Sequence, residues 1–174
     1  MPDRKKEPPL ASTRRQLRTI RKVLKQLKLE HRERYDAKDD ISFFEISRAT
    51  DDGLESAHLV HGPGLLAVYA RFGVRAPKRE SELLRFANIF NALNRQGCLF
   101  AEGDGTIVYR DSVCYSRVKD LEPGYVAGLI EGLIDIIKVV DLPLILIAKG
   151  KSAAEAVNEL WVSATPARYV YAAT

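Results

Sequence analysis

Residues 80–115, ESELLRFANIFNALNRQGCLFAEGDGTIVYRDSVCY, constrain the fold more than any other stretch of the chain. Leu83, Phe86, Ala87, Phe90 and Leu93 recur at three- and four-residue steps, which predicts a helix with one apolar face. Leu84 and Ile89 widen that face. Asn88, Asn91 and Asn94 fall on a second stripe. Asparagine is a mediocre helix former because its amide competes for backbone groups, so this stripe predicts amides that contact other segments. The helix should end near Asn94 or Arg95, with Gly97 supplying a left-handed turn. Residues 98–102 then read as a strand and Gly103-Asp104-Gly105 as a tight turn. Ile107, Tyr109, Val113 and Tyr115 alternate on the return strand, and Asp111 interrupts them. A hairpin centred on Asp104 sets Cys98 opposite Arg110 and away from Cys114, which argues against a disulfide.

Charge divides the chain. Residues 1–35 hold twelve Lys and Arg against four acids, although the whole chain of 174 residues carries only +4. A basic N-terminal part on a mildly acidic body follows. Residues 1–12, with three prolines among charged groups, read as a disordered basic arm. Thr13 and Gln16 fit a capping box opening a helix over residues 13–29. Leu17, Ile20, Leu24 and Leu27 mark its inner face, and Arg14, Arg15, Arg18, Arg21, Lys22 and Lys25 cover the outside. Residues 31–40 read as a polar connector.

Residues 41–47 (ISFFEIS) and 57–61 have strand character, joined through the Asp51-Asp52-Gly53 turn. Residues 65–75 give the clearest strand: Leu66, Val68, Ala70, Phe72 and Val74 point one way, Leu65, Ala67, Tyr69 and Arg71 the other. That pattern suits a sheet with one covered and one open face. Residues 124–140 form an apolar helix whose polar stripe is Gly128, Glu131, Asp135 and Lys138. It needs cover on two sides, from its sheet and from another helix or subunit. Residues 144–147 (LILI) fit a strand or a helix. Ser152 and Glu155 form a capping box for a last helix to about residue 161. A single domain over residues 13–161 is expected, followed by a tail over residues 162–174. The sequence class is α+β: an antiparallel sheet packed against helices in the order α-β-β-β-α-β-β-α-α.

Three stretches carry a resemblance: Asn94-Arg95-Gln96-Gly97-Cys98-Leu99-Phe100, Asp104-Gly105-Thr106-Ile107-Val108-Tyr109-Arg110, and Gly150-Lys151-Ser152-Ala153-Ala154-Glu155-Ala156. With the element order, they make the chain resemble the YbjN family, whose fold is like that of type III secretion chaperones. The match covers residues 41–160. The resemblance implies a small, often dimeric bacterial domain, described as a sensory-transduction regulator or chaperone-like protein. It also implies that the helix-and-sheet surface receives an extended peptide. The basic character of residues 1–35 is not implied by it.

Candidate chemistry is sparse. His58 and His61 point to opposite faces of a strand, which is wrong for a shared metal. Cys98 and Cys114 lack ligand spacing, and both read as reduced thiols. Glu102, Asp104, Asp51 and Asp52 sit beside turn glycines, where acids serve local hydrogen bonds. The GKS at residues 150–152 lacks the glycine a phosphate loop needs. No enzyme and no cofactor or metal are therefore expected. The expected function is protein binding, as a chaperone- or adaptor-like regulator, homodimeric and cytoplasmic. Candidate partner-binding residues on an open sheet face are Tyr69, Arg71, Tyr109 and Arg110. The six cations Arg14, Arg15, Arg18, Arg21, Lys22 and Lys25 read as a solvated face, or as an attraction for nucleic acid or an anionic membrane. A membrane partner is disfavoured by the narrow apolar stripe, and nucleic acid is the alternative partner.

Overall fold

Strand periodicity sets the architecture. In a computed structural model describing residues 11–47, 54–94, 96–115 and 121–163, six strands form one antiparallel sheet. The elements are α1 (Ala11–Gln26), β1 (Glu30–Asp36), β2 (Ile41–Ser47), β3 (Leu54–Gly62), β4 (Leu65–Phe72), α2 (Glu80–Leu93), β5 (Cys98–Ala101), β6 (Ile107–Cys114), α3 (Pro123–Ala148) and α4 (Ala153–Ser163). Strand order is β1-β2-β3-β4-β6-β5. The expected α+β class holds.

Along β4, Leu66, Val68, Ala70 and Phe72 are all sealed from water. Pairing carries this face outward through Leu59 and Phe44 on one side and Tyr109 and Leu99 on the other. α3 packs across this face on β3, β4 and β6, with α1 beside it. α4 lies against α2 and α3. The core is therefore one slab between the sheet and its helices.

Two departures from the sequence reading have physical causes. The polar connector is an edge strand, β1, paired to β2 along its whole length. Its sequence, EHRERYD, shows no apolar alternation because its open-face side chains are exposed and its helix-side ones only half-buried. Charge on an edge strand also deters stray pairing. The second departure is the end of the apolar helix, expected near residue 140: α3 runs on through Pro143, and LILI, which fits a strand or a helix, is its last turn. An interior proline costs about 3 kcal/mol in an isolated helix. Here Val140, Leu144 and Ile147 are fully buried and hold the helix together across it.

Thr13 does not cap α1, which begins at Ala11. Its hydroxyl donates instead to Asp40 (2.9 Å), and Gln16 reaches His61 (3.1 Å). The second capping box does form: the Ser152 backbone N–H and hydroxyl donate to Glu155 at 2.8 Å each, while the Glu155 N–H donates back (3.3 Å). These bonds, from the Ser152 backbone first, hold the Glu155 carboxyl at about 2. Glu82 of α2 also accepts the Ala153 N–H (2.6 Å), tying α2 to α4.

The hairpin register is as expected, with Cys98 opposite Arg110 and both cysteines free. Gly97 has φ +66°, and a Cβ there would collide with the Tyr109 phenol. The Asp51-Asp52-Gly53 turn, the arm before Ala11 and the tail after Ser163 lie outside the described residues.

Candidate functional site

Period-two alternation leaves the second face of the sheet with its own set of side chains. Residues directly opposite in antiparallel strands share a face. One row across the sheet runs Arg34, Phe43, Val60, Ala67, Ser112. The next runs Arg32, Glu45, His58, Tyr69, Arg110, Cys98. A shorter row runs Ser56, Arg71, Val108, Phe100. Among the described residues no helix packs on these rows: α1 and α3 both take the other face. Phe43 and Phe100 are 40% and 49% exposed, unusual for phenylalanine in a sheet. They stand on β2 and β5, strands about 19 Å apart at the usual spacing, in rows four residues apart along the strands.

Polar groups frame this apolar band. The Arg110 guanidinium lies over the Tyr69 ring, 5.6 Å from its centre. Arg71 donates to Glu102 (2.6 Å) and Asp104 (3.3 Å), and its Nε lies 3.3 Å from Glu55. Arg75 lies 3.4 Å from the same Glu55 carboxylate. Beside β1, a shallow hollow of about 430 Å³ is lined by Arg32, Arg34, Tyr35, Asp36, Phe43, Glu45 and His58. It brings together two arginines, two carboxylates and three rings.

The two sheet edges differ. Asn91 of α2 accepts the Leu99 N–H (2.7 Å) and donates to the Leu99 carbonyl (2.9 Å). One carboxamide thus does for β5 what a seventh strand would do, fulfilling the expectation that the Asn stripe contacts another segment. β1 carries charged side chains along its outer edge.

The four candidate binding residues separate. Tyr69, Arg71 and Arg110 lie on the open face. Tyr109 does not: it is 1% exposed, on the helix side, and its hydroxyl donates to the Gln96 carbonyl (3.0 Å). Tyr109 is a core residue, and its candidacy is withdrawn. Arg71 is committed to three carboxylates, so Glu102 and Asp104 serve as its counter-ions. Four open-face residues were missed: Phe43, Phe100, Cys98 and Cys114. The signal was present. Adjacent Phe43 and Phe44 in one strand must face opposite ways, and Cys98 opposite Arg110 shares its side.

His58 and His61 do face opposite ways. His61 is sealed beneath α1, with Nε2 2.7 Å from the Tyr115 hydroxyl. That hydroxyl donates to the Gly62 carbonyl (3.2 Å), so the consistent assignment puts the imidazole proton on Nε2. Nδ1 is then a buried lone pair without a partner. Burial holds His61 below its usual range, against an opposing pull from Asp40. Burial likewise pushes the Tyr115 phenol up to about 12. Among the described residues no cluster of His, Cys, Asp and Glu could hold a metal ion.

All six α1 cations are exposed. The helix docks through Leu17, Ile20, Val23 and Leu24, each 2% exposed or less. Arg21 pairs with Glu33 of β1 through two bonds, 2.8 and 2.7 Å. No helix among the described residues is long and apolar enough to cross a membrane.

No protein-family model matches the chain, and no curated protein matches it. Among solved structures it is similar to the crystal structure of YbjN from E. coli, described there as a candidate transcription regulator. The TM-score is 0.48 and the identity 16%, over 76% of this chain and 89% of that one.

Proposed function

We propose that the chain is a non-catalytic protein-binding module, an adaptor- or chaperone-like regulator, whose open sheet face receives an apolar segment of another protein. The observation that carries this is the pair of exposed phenylalanines, Phe43 and Phe100, with Tyr69 and Val60 between them on the uncovered side. Burying one such side chain contributes about 1.5–3 kcal/mol, so three aromatics give a useful anchor. Arg32, Arg34 and Arg110 then orient the partner by its polar groups.

A homodimer is part of the proposal. The apolar girth of α3 is absorbed within the chain by the sheet, α1, α2 and α4. Pairing on the helix side would fall to the exposed Leu84, Leu93, Tyr125 and Leu142.

The test is site-directed photo-crosslinking from position 43 or 100 in the native cell, against the same probe at Lys138 on α3. Partners captured from the sheet face and lost in a Tyr69→Glu variant support the proposal. Equal capture from all three positions overturns it. Sedimentation equilibrium separately tests pairing, and a monomer at every concentration overturns the dimer.

A further inference from the structure

The docked α1 carries six cations and no acid between Ala11 and Gln26. At 100° per residue, Arg14, Arg15, Arg18, Arg21, Lys22 and Lys25 all fall within an arc of about 120°. The buried residues occupy the opposite side. This arrangement is electrostatically costly. Arg14–Arg18, Arg18–Lys22 and Arg21–Lys25 are like-charge pairs at i,i+4, each of which destabilises the helix. Arg14 also sits in the first turn, where the helix dipole favours acids, and Arg15 directly follows it. Arg21 has a bidentate carboxylate partner on a neighbouring element, Glu33. The helix is nevertheless fixed, by its apolar stripe and by Thr13 and Gln16 bonded to Asp40 and His61.

We infer that α1 is a docking surface for the phosphate backbone of a nucleic acid duplex, bound without regard to sequence. Arg14 to Lys25 spans about 17 Å of helix axis, the rise of about five phosphates along one strand. The rod is rigid and needs no ordering on binding. The structure also decides against an anionic membrane. An interfacial helix buries its apolar face in lipid, and the apolar face of α1 is already spent on the protein core. The outward arc offers no aromatic and no set of amides to read base edges, so backbone charge is what it can recognise. This surface is on the helix side of the sheet and is independent of the open face.

The experiment is fluorescence anisotropy of the full chain with two labelled duplexes of unrelated sequence, at several salt concentrations. Both should bind alike. Affinity should fall roughly 10²–10³-fold between about 50 and about 200 mM salt, a slope near −4.5 for about five contacts. A double Arg18→Gln, Lys25→Gln variant should lessen that slope by about 2 units and weaken binding at least about tenfold in low salt. Its far-UV spectrum should match the parent and its melting temperature should be equal or slightly higher, because both side chains are exposed and the three like-charge pairs are gone. No binding at low salt, or equal binding by a folded double variant, overturns the inference. So does stronger association with phosphatidylserine vesicles than with duplex.

Discussion

The two faces of the sheet are made by the same strands, yet they do opposite things. On β4, Leu66, Val68, Ala70 and Phe72 disappear under α3, whereas Tyr69 and Arg71, one residue out of phase, stay half-exposed. The helix side is apolar and closed by packing. The open side mixes aromatics with arginines and has charge at both ends. The difference teaches where the chain spends its hydrophobic free energy: folding uses one parity of each strand, and the other parity is left for contact with something else.

The largest effect that could break this comparison is a pair of substitutions three residues apart. Leu66→Ala should cost about 2–5 kcal/mol in urea unfolding, the range for a buried leucine cut to alanine. Tyr69→Ala should cost about 1 kcal/mol or less while abolishing capture by the open face. Similar costs for both would mean that the second face is also core.

Next comes the β5 edge. Asn91→Ala strips the Leu99 N–H and carbonyl of their partner, a loss of about 1–3 kcal/mol. It also exposes a strand edge, so concentration-dependent association should rise in light scattering. An unchanged midpoint would show that water replaces the amide without cost.

The α1 pins give a smaller, pH-dependent effect. His61 is held below its unfolded value of 6.5, so the unfolded chain binds the extra proton first. Stability should therefore fall as pH is lowered from about 6.5, by at most about 1.4 kcal/mol per pH unit, until the folded imidazole titrates. Urea midpoints of wild type and His61→Gln between pH 7 and pH 5 would show it: the variant should lose this component. Parallel curves would contradict the buried, half-partnered imidazole.

The smallest effect belongs to Arg71→Ala. Its three carboxylates are 41–49% exposed, and pairs this open to water and salt contribute little. Thermal melts at low and high salt should nearly coincide for the variant. A large, salt-sensitive fall in melting temperature would make the network part of the fold's foundation.

Much of this was legible in the sequence because it rests on local periodicity. The alternation of β4, the register of the β5–β6 hairpin, the Asn stripe and the Ser152–Glu155 box follow from near-neighbour geometry. What escaped depends on tertiary context. β1 carries no apolar period because its outer edge is solvated, so only its ladder with β2 reveals it. α3 crosses Pro143 because buried residues on both sides outweigh the missing hydrogen bond. Tyr109 stands in the sequence as a candidate for the open face. The parity argument, carried from β4 across to β6, assigns it to the core. Phe43 and Phe100 follow from the same parity once neighbouring strands are known.

The chain's two cysteines, Cys98 and Cys114, both stand on the open face and both are exposed. They are native reporters of whether that side is covered. Maleimide labelling of the folded protein in dilute buffer, followed by mass spectrometry, tests the account directly. Both thiols should react at the rate of a free thiol without denaturant. Protection of either one until the protein unfolds would mean that this face is already occupied by the chain itself, and a receptive sheet face could not stand.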